Sequence, residues 1–251
     1  MAYAVNQGVR IHYRTEGDGK PLVVQHGITD SLETWYDLGY VETLKPQYRL
    51  ILIDARGHGA SDKPHESDAY DWQRNVEDIA AVLDDLDFPR THSFGYSMGG
   101  RIGFAIARYA PERVRSLILG GGTPYPRPQA GPDRMLEAFK RGAEAIPSMW
   151  DAPLPTAVKD RLVKNDVEAL VAFRTNALQH PGFAEILPTM TMPCLLFAGE
   201  NDWHHAKNKE CIRSIPNVTF FYLPGLGHVE ALFRSDLVLP HVTQFLATVN
   251  R

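Results

Sequence analysis

Gly95-Tyr96-Ser97-Met98-Gly99, with Gly100 directly behind it, is the stretch on which the reading of this chain turns. Before it lies Thr91-His92-Ser93-Phe94, an apolar-tending run with strand character. After it, Ile102, Ala105, Ile106 and Tyr109 recur at helical spacing until Pro111 stops the pattern. A strand that enters a helix through Gly-x-Ser-x-Gly must turn sharply at the serine. The backbone there is strained, so neighbouring positions can carry little side chain. Gly95 and Gly99 meet that demand, and Gly100 lets the helix pack close to the strand. Such a turn lifts the Ser97 hydroxyl clear of a sheet. It also aims a helix N-terminus, with its unpaired N–H groups, at whatever the hydroxyl meets.

Working outward, the segment from Tyr3 to Thr15 alternates loosely, with Val5, Val9, Ile11 and Tyr13 set against Asn6, Arg10, His12 and Arg14. Period two predicts half-exposed strands at an antiparallel edge, closed by a turn at Gly17-Asp18-Gly19. Short, continuously apolar runs follow at Leu22–Val24, Leu50–Ile53, Leu117–Leu119, Cys194–Phe197 and Val218–Leu223. Runs of this kind suit parallel strands buried on both faces. Between them, Val76, Ile79, Ala80, Leu83 and Leu86 mark an amphipathic helix, and a last helix runs from about Val238 to Val249. Strand and helix in alternation predict an α/β fold with a doubly wound, mostly parallel sheet, and a site at the carboxyl ends of its strands.

One stretch breaks that rhythm. It opens with Pro124, Pro126, Pro128 and Pro132, and continues through helix-like segments at Asp133–Ala145, Pro155–Lys164 and Asp166–Leu178. About seventy residues without a strand is too long for an ordinary crossover. The expected organisation is therefore a core of residues 1–122 and 192–251, with residues 123–191 as a helical cap over the strand ends.

Composition narrows the function classes. The 251 residues are 44% hydrophobic and 22% charged, the balance of a globular chain that can bury a core without staples. A net charge of -4, with no basic run, argues against nucleic-acid binding. The two cysteines, Cys194 and Cys211, fall in apolar surroundings and read as buried free thiols of a reducing compartment. The N-terminus lacks a basic region followed by an apolar one, and no apolar run could span a bilayer. The expectation is a cytoplasmic monomer or homodimer with no membrane partner. No glycine-rich phosphate loop or metal cluster is legible, so no cofactor and no metal are expected.

A serine hydroxyl is a poor nucleophile at neutral pH and needs a base, which in turn needs a partner to fix its tautomer. Among ten histidines, His228 follows the run Val218–Leu223 in the glycine-flanked loop Pro224-Gly-Leu-Gly-His228. A loop at a strand's carboxyl end is where a base could reach Ser97. Adjacent His204 and His205 are its rivals and read as rim residues. The orienting carboxylate should end another strand, as Asp202 does in Phe197-Ala-Gly-Glu-Asn-Asp202; Glu200, nearer the strand, is the alternative. An anionic tetrahedral intermediate needs N–H donors. Met98, just after the serine, supplies one. In Leu22-Val-Val-Gln-His26-Gly27-Ile28, Gly27 lets the backbone turn so that the Ile28 N–H can supply the other. His26 reads as a residue that orients this loop by hydrogen bonding.

With these residues in place, the sequence resembles an α/β-hydrolase fold enzyme over essentially its whole length. His26-Gly27 resembles the family's oxyanion-loop motif, and Asp54-Ala-Arg56-Gly57-His58-Gly59-Ala-Ser61 resembles its D-x-R-G-H-G-x-S loop, whose role there is structural. Ser97, Asp202 and His228 fall in the serine–acid–histidine order that the family carries. The serine departs from the aspartate of the related haloalkane dehalogenases and epoxide hydrolases. Gly-Tyr-Ser-Met-Gly-Gly is similar to small bacterial carboxylesterases, enol-lactonases and ring-cleavage carbon–carbon hydrolases. The resemblance implies a serine hydrolase of small carboxylic esters working through an acyl-enzyme. A carbon–carbon hydrolase or lactonase is the alternative, and a triad-bearing ligand receptor a lesser one. An apolar pocket is expected from Trp35, Tyr36, Tyr96, Tyr125, Trp150 and Phe173, with Met149 and Phe183 also in the cap. Cap arginines Arg127, Arg134 and Arg174 could hold a substrate carboxylate.

Overall fold

The computed structural model describes residues 1–126, 131–150 and 153–250. Its eight strands are β1 (Ala2–Asn6), β2 (Val9–Glu16), β3 (Lys20–Gln25), β4 (Tyr48–Ile53), β5 (Thr91–Tyr96), β6 (Val114–Gly120), β7 (Cys194–Gly199) and β8 (Val218–Leu223). They form one sheet in the order β1-β2-β4-β3-β5-β6-β7-β8. The hairpin β1-β2 and the β2-β4 pair are antiparallel, and every other pair is parallel. Helices α1 (Glu33–Asp37), α2 (Tyr40–Leu44), α3 (Trp72–Asp85), α4 (Met98–Tyr109), α5 (Arg134–Lys140), α6 (Thr156–Leu162), α7 (Val167–Gln179), α8 (His205–Cys211), α9 (His228–Phe233) and α10 (Ser235–Val249) complete the chain.

The pleat sorts the central strands between two apolar layers. Val23, Ile51, Leu117, Leu119 and Leu196 face one core with Ile79, Leu83, Ile102 and Ile106 of α3 and α4. Their neighbours Leu22, Val24, Leu50, Ile118 and Leu195 face the other, with Val41 of α2 and Val238, Val242 and Leu246 of α10. Alternate residues of one strand thus enter different cores, so a continuously apolar run is what a sheet covered on both faces requires. The run Val218–Leu223 departs from that expectation. As β8 it lies at the sheet edge, where only Leu223 is buried.

Between β6 and β7 the chain leaves the sheet and forms α5, α6, α7 and short 3-10 turns, with no strand among the described residues. Asp133 caps α5 by accepting the Leu136 N–H, and Asp166 caps α7 by accepting that of Ala169. The helical run expected over Asp133–Ala145 is shorter than its periodicity suggests: Gly142, with φ of 108°, separates α5 from a 3-10 turn.

Strand order places the site. The chain passes from β3 to β4 on one side and then returns to β5 on the other side of β3. Such a reversal opens a crevice at the carboxyl ends of the two central strands. The loop after β3 carries His26 and Gly27, and the turn after β5 carries Ser97.

Candidate active site

Ser97 sits between β5 and α4 with φ 55° and ψ −106°, outside the ordinary regions for a non-glycine residue. Close approach explains the flanking glycines. A Cβ at Gly95 would lie 2.1 Å from the Gly99 carbonyl oxygen, and one at Gly99 would lie 2.2 Å from that of Gln25. Both obstacles are backbone, so neither position tolerates a side chain. The strain is held by the Ser97 N–H, which donates to Gly120 at 2.7 Å, and the Gly99 N–H, which donates to His26.

From this turn the Ser97 hydroxyl lies 2.9 Å from Nε2 of His228, and Nδ1 of His228 lies 2.7 Å from Oδ2 of Asp202. Asp202 follows β7 and His228 begins α9 after β8, so both reach back across β6. Gly121 makes room for that reach: a Cβ there would lie 2.9 Å from Cε1 of His228. Tyr96 holds the imidazole's backbone, its hydroxyl donating to the His228 carbonyl at 2.6 Å. The Asp202 carboxyl is buried, which opposes its charge. The hydrogen bond and charge of His228, aided by the His204 N–H, prevail and hold it below the usual carboxylate range. An ionised carboxylate only accepts, so His228 carries its proton on Nδ1 and leaves Nε2 free to accept from Ser97. The arrangement can move a proton from the serine oxygen to the imidazole while the charge that develops is balanced by Asp202.

Glu200, the alternative acid, accepts the Gly225 N–H at 2.9 Å in an exposed turn. His205 lies against Phe220 and Tyr222. The His204 ring is 6.1 Å from that of His228. His26 is engaged at both nitrogens: Nε2 accepts the Ala55 N–H at 3.1 Å, so Nδ1–H donates to the Gly27 carbonyl at 2.7 Å. This fixes the loop that carries Ile28. Neither the Ile28 nor the Met98 N–H donates to a protein acceptor among the described residues. Two backbone donors are thus left beside the serine. The Asp54–Ser61 loop is a buried scaffold. Asp54 accepts from His12, Leu32 and Ala60, while Arg56 grips Asp78 through two 2.6 Å hydrogen bonds.

One cavity adjoins Ser97, and a second shares its Trp150 wall. The inner one, about 50 Å³, is walled by Ile28, Trp150, Leu154, Val158, Leu162 and Phe233, with Ser97 and His228 at its floor. One water needs roughly 10–15 Å³ of such space, so this cavity admits a short chain. The outer one, about 290 Å³, is polar and bordered by Arg134, Arg141, Arg174 and Asp133, with Trp150 and Trp203 on its inner side. Trp203 stacks on the His228 ring at 4.3 Å and 27°, while remaining more than half exposed.

Of the aromatic residues expected at the pocket, Tyr96 and Trp150 border the inner cavity. The other four do not. Trp35 is buried against Tyr40 and Phe94, on one face of the central strands. Phe173 fills the interior between α7 and the core, against Tyr70 and Trp72. The Tyr36 hydroxyl donates to Glu16, and the Tyr125 ring lies under the Lys207 ammonium. Trp35 and Phe173 went to dry interfaces, whereas Tyr36 and Tyr125 stay half-buried beside charged partners, and local sequence patterns identify neither destination. Phe183 likewise packs on Trp72 and His180, whereas Met149 borders the outer cavity. Arg127 lies outside the described residues. The walls supplied by Val158 and Leu162 were legible as a helix but not as a pocket face, and Leu154 lies just before that helix. Trp203 was signalled only by an aromatic residue directly after the acid.

Among the described residues, no three His, Cys, Asp or Glu side chains group as metal ligands, and no helix is long and apolar enough to cross a membrane.

Known proteins place this geometry in a lineage. A Bacillus subtilis protein named for 2-succinyl-6-hydroxy-2,4-cyclohexadiene-1-carboxylate synthase activity is 28% identical over 98% of this chain and 97% of its own. A 2-hydroxy-6-oxononadienedioate/2-hydroxy-6-oxononatrienedioate hydrolase of Paraburkholderia phymatum is 29% identical over 88% of this chain and 85% of its own. The enol-lactonase of Burkholderia xenovorans superimposes with a TM-score of 0.85 at 23% identity, over 98% of this chain and 100% of that one, a likeness of fold. The family model described as the alpha/beta hydrolase fold matches residues 20–223. With that match over most of its length, the chain belongs to the α/β-hydrolase fold family.

Proposed function

We propose that this chain is a serine hydrolase of small carboxylic esters, with Ser97 as nucleophile, His228 as base and Asp202 as the group that orients it. The observation that carries the reading is the unbroken relay from Ser97 Oγ through His228 to Asp202, at 2.9 and 2.7 Å. Ser97 Oγ attacks the ester carbonyl carbon as its proton passes to Nε2. The carbonyl oxygen becomes an oxyanion between the Ile28 and Met98 N–H groups, each donor contributing roughly 3–4 kcal/mol. The C–O bond then breaks and Nε2 returns the proton to the leaving alkoxide. Water repeats the sequence on the acyl-serine: it gives its proton to Nε2, the carboxylic acid departs, and Ser97 recovers its proton. Residues 123–191 act as the cap, whose Trp150, Leu154, Val158 and Leu162 hold the acyl chain.

A second reading, a lactonase or carbon–carbon hydrolase acting on a carboxylate-bearing substrate, is favoured by the outer cavity. Its described walls hold Arg134, Arg141 and Arg174 with one carboxylate, Asp133, which pairs with Arg174, and it shares Trp150 with the inner cavity. The match to a relative named for a dioate agrees with that charge. Steady-state assay of p-nitrophenyl butyrate, an aliphatic lactone and a dienoate acid separates the two. The ester reading expects Ser97-dependent turnover with the butyrate foremost. Turnover confined to the acidic substrates would replace it with the second reading.

A further inference from the structure

Four non-glycine residues among those described have positive φ: Gln7, Thr29, Asp87 and Ser97. Gln7 forms the β1-β2 turn with Gly8, Asp87 follows the end of α3, and Ser97 is the nucleophile of the proposal above. Thr29 is the only β-branched one, buried at φ 68°. A β-branched residue there is a true outlier, which persists only where its surroundings hold it.

Thr29 stands one residue beyond Ile28, in a turn closed by the Asp30 N–H donating to the Gly27 carbonyl. Positive φ at the third position of such a turn normally calls for glycine or asparagine. What holds Thr29 comes from the other side of the site. The Asn165 amide, in the link between α6 and α7, donates to the Thr29 carbonyl at 2.8 Å and to the Leu162 carbonyl at 3.0 Å. A single amide thus satisfies an end carbonyl of α6 and pins the loop that bears Ile28. The same helix presents Val158 and Leu162 to the inner cavity.

We infer that Asn165 is a positioning residue through which α6 of the cap holds the Gly27–Asp30 turn, and with it the Ile28 N–H, in the conformation that receives an oxyanion. This deepens the hydrolase reading and rests on it. It also links acyl recognition to rate: a chain that fills the space beside Val158 and Leu162 seats α6, so its binding is expressed in kcat more than in KM.

The test is a double-mutant cycle with Thr29→Gly, which relieves the strain that Asn165 holds. With p-nitrophenyl butyrate, Asn165→Ala is expected to lower kcat about tenfold with KM within about twofold, the size of one lost hydrogen bond. A trifluoromethyl ketone, whose adduct carries the oxyanion, should weaken by a similar factor. In the Thr29→Gly background the same substitution should cost less than about twofold, since glycine takes positive φ without strain. Asn165→Asp, equal in size but unable to donate when ionised, guards against a loosened helix and should lose as much as Asn165→Ala. Equal losses in both backgrounds, or no loss with Thr29 present, would overturn the inference while wild-type turnover upheld the hydrolase reading. A wild type that neither turns over ester nor is labelled at Ser97 by a fluorophosphonate would overturn both.

Discussion

Replacing Asp202 with asparagine probes the relay at its least exposed point. Asp202 Oδ2 accepts from Nδ1 of His228 at 2.7 Å, and Oδ1 accepts the His204 N–H at 2.7 Å. Asparagine fits the same space. With its oxygen kept on the His204 N–H, its NH2 faces Nδ1, which must then accept. The imidazole proton moves to Nε2, 2.9 Å from Ser97, where it opposes the serine's own proton. The base is lost by tautomer, and the negative charge that would balance the imidazolium goes with it. In serine proteases this exchange lowers kcat about 10⁴-fold, or about 5.5 kcal/mol, and the same magnitude is expected here because the geometry is equivalent. The assay is release of p-nitrophenolate from the butyrate ester at mildly alkaline pH, with unchanged melting as the control for folding. Glu200→Gln is the companion: its partner is an exposed turn N–H, so its activity should stay within about twofold. An Asp202→Asn enzyme with more than a tenth of wild-type kcat, or a Glu200→Gln enzyme as damaged as it, would refute the assignment of the acid.

Two further outcomes follow from the buried scaffold and the inner cavity. Burial, with the neighbouring His26 adding to it, pushes the His58 imidazole down to about 3; its Nε2 has no partner among the described residues, so a proton there would be stranded. The folded state resists protonation that the unfolded chain accepts near its ordinary value, about 6.5. The neutral imidazole's contribution is therefore complete above that value and is lost as pH falls toward 3. Proton uptake on unfolding at pH between about 4 and 6 should drop by about one in His58→Gln, measured by calorimetry in buffers of different ionisation enthalpy; an unchanged uptake would show that another group titrates. Trp150 separates the two cavities. Trp150→Ala should raise the kcat/KM ratio of octanoate to butyrate ester at least about tenfold, since each added CH2 buried contributes about 0.8 kcal/mol; an unchanged ratio would place the acyl chain elsewhere.

What the sequence made legible is what local chemistry dictates. The elbow shows because backbone approaches at 2.1 and 2.2 Å admit only glycine at 95 and 99. The central strands show because alternate residues enter two dry layers, which demands apolar side chains throughout. The same pattern misled at Val218–Leu223, where an edge strand keeps its aromatic residues half covered by neighbours. The relay from Ser97 to Asp202 was reachable because each member ends a strand, and strand ends meet at the crevice. Pocket walls were not, because a helix pattern does not say which dry surface an aromatic side chain will find: Trp35 and Phe173 went to packing, whereas Leu162 reached the cavity. Nor could sequence expose Asn165, whose meaning depends on a carbonyl 136 residues away in the chain.

The central claim is that Ser97 carries the acyl group. Rapid quenching of the enzyme with p-nitrophenyl acetate and butyrate, followed by intact-mass and peptide analysis, reads it directly. A transient gain of one acyl group on the peptide holding Ser97, formed before steady-state release and absent in Ser97→Ala, is the expected result. Turnover in Ser97→Ala should be lower by on the order of 10⁶-fold. Steady hydrolysis with no acyl group on Ser97, or undiminished turnover in Ser97→Ala, would contradict it.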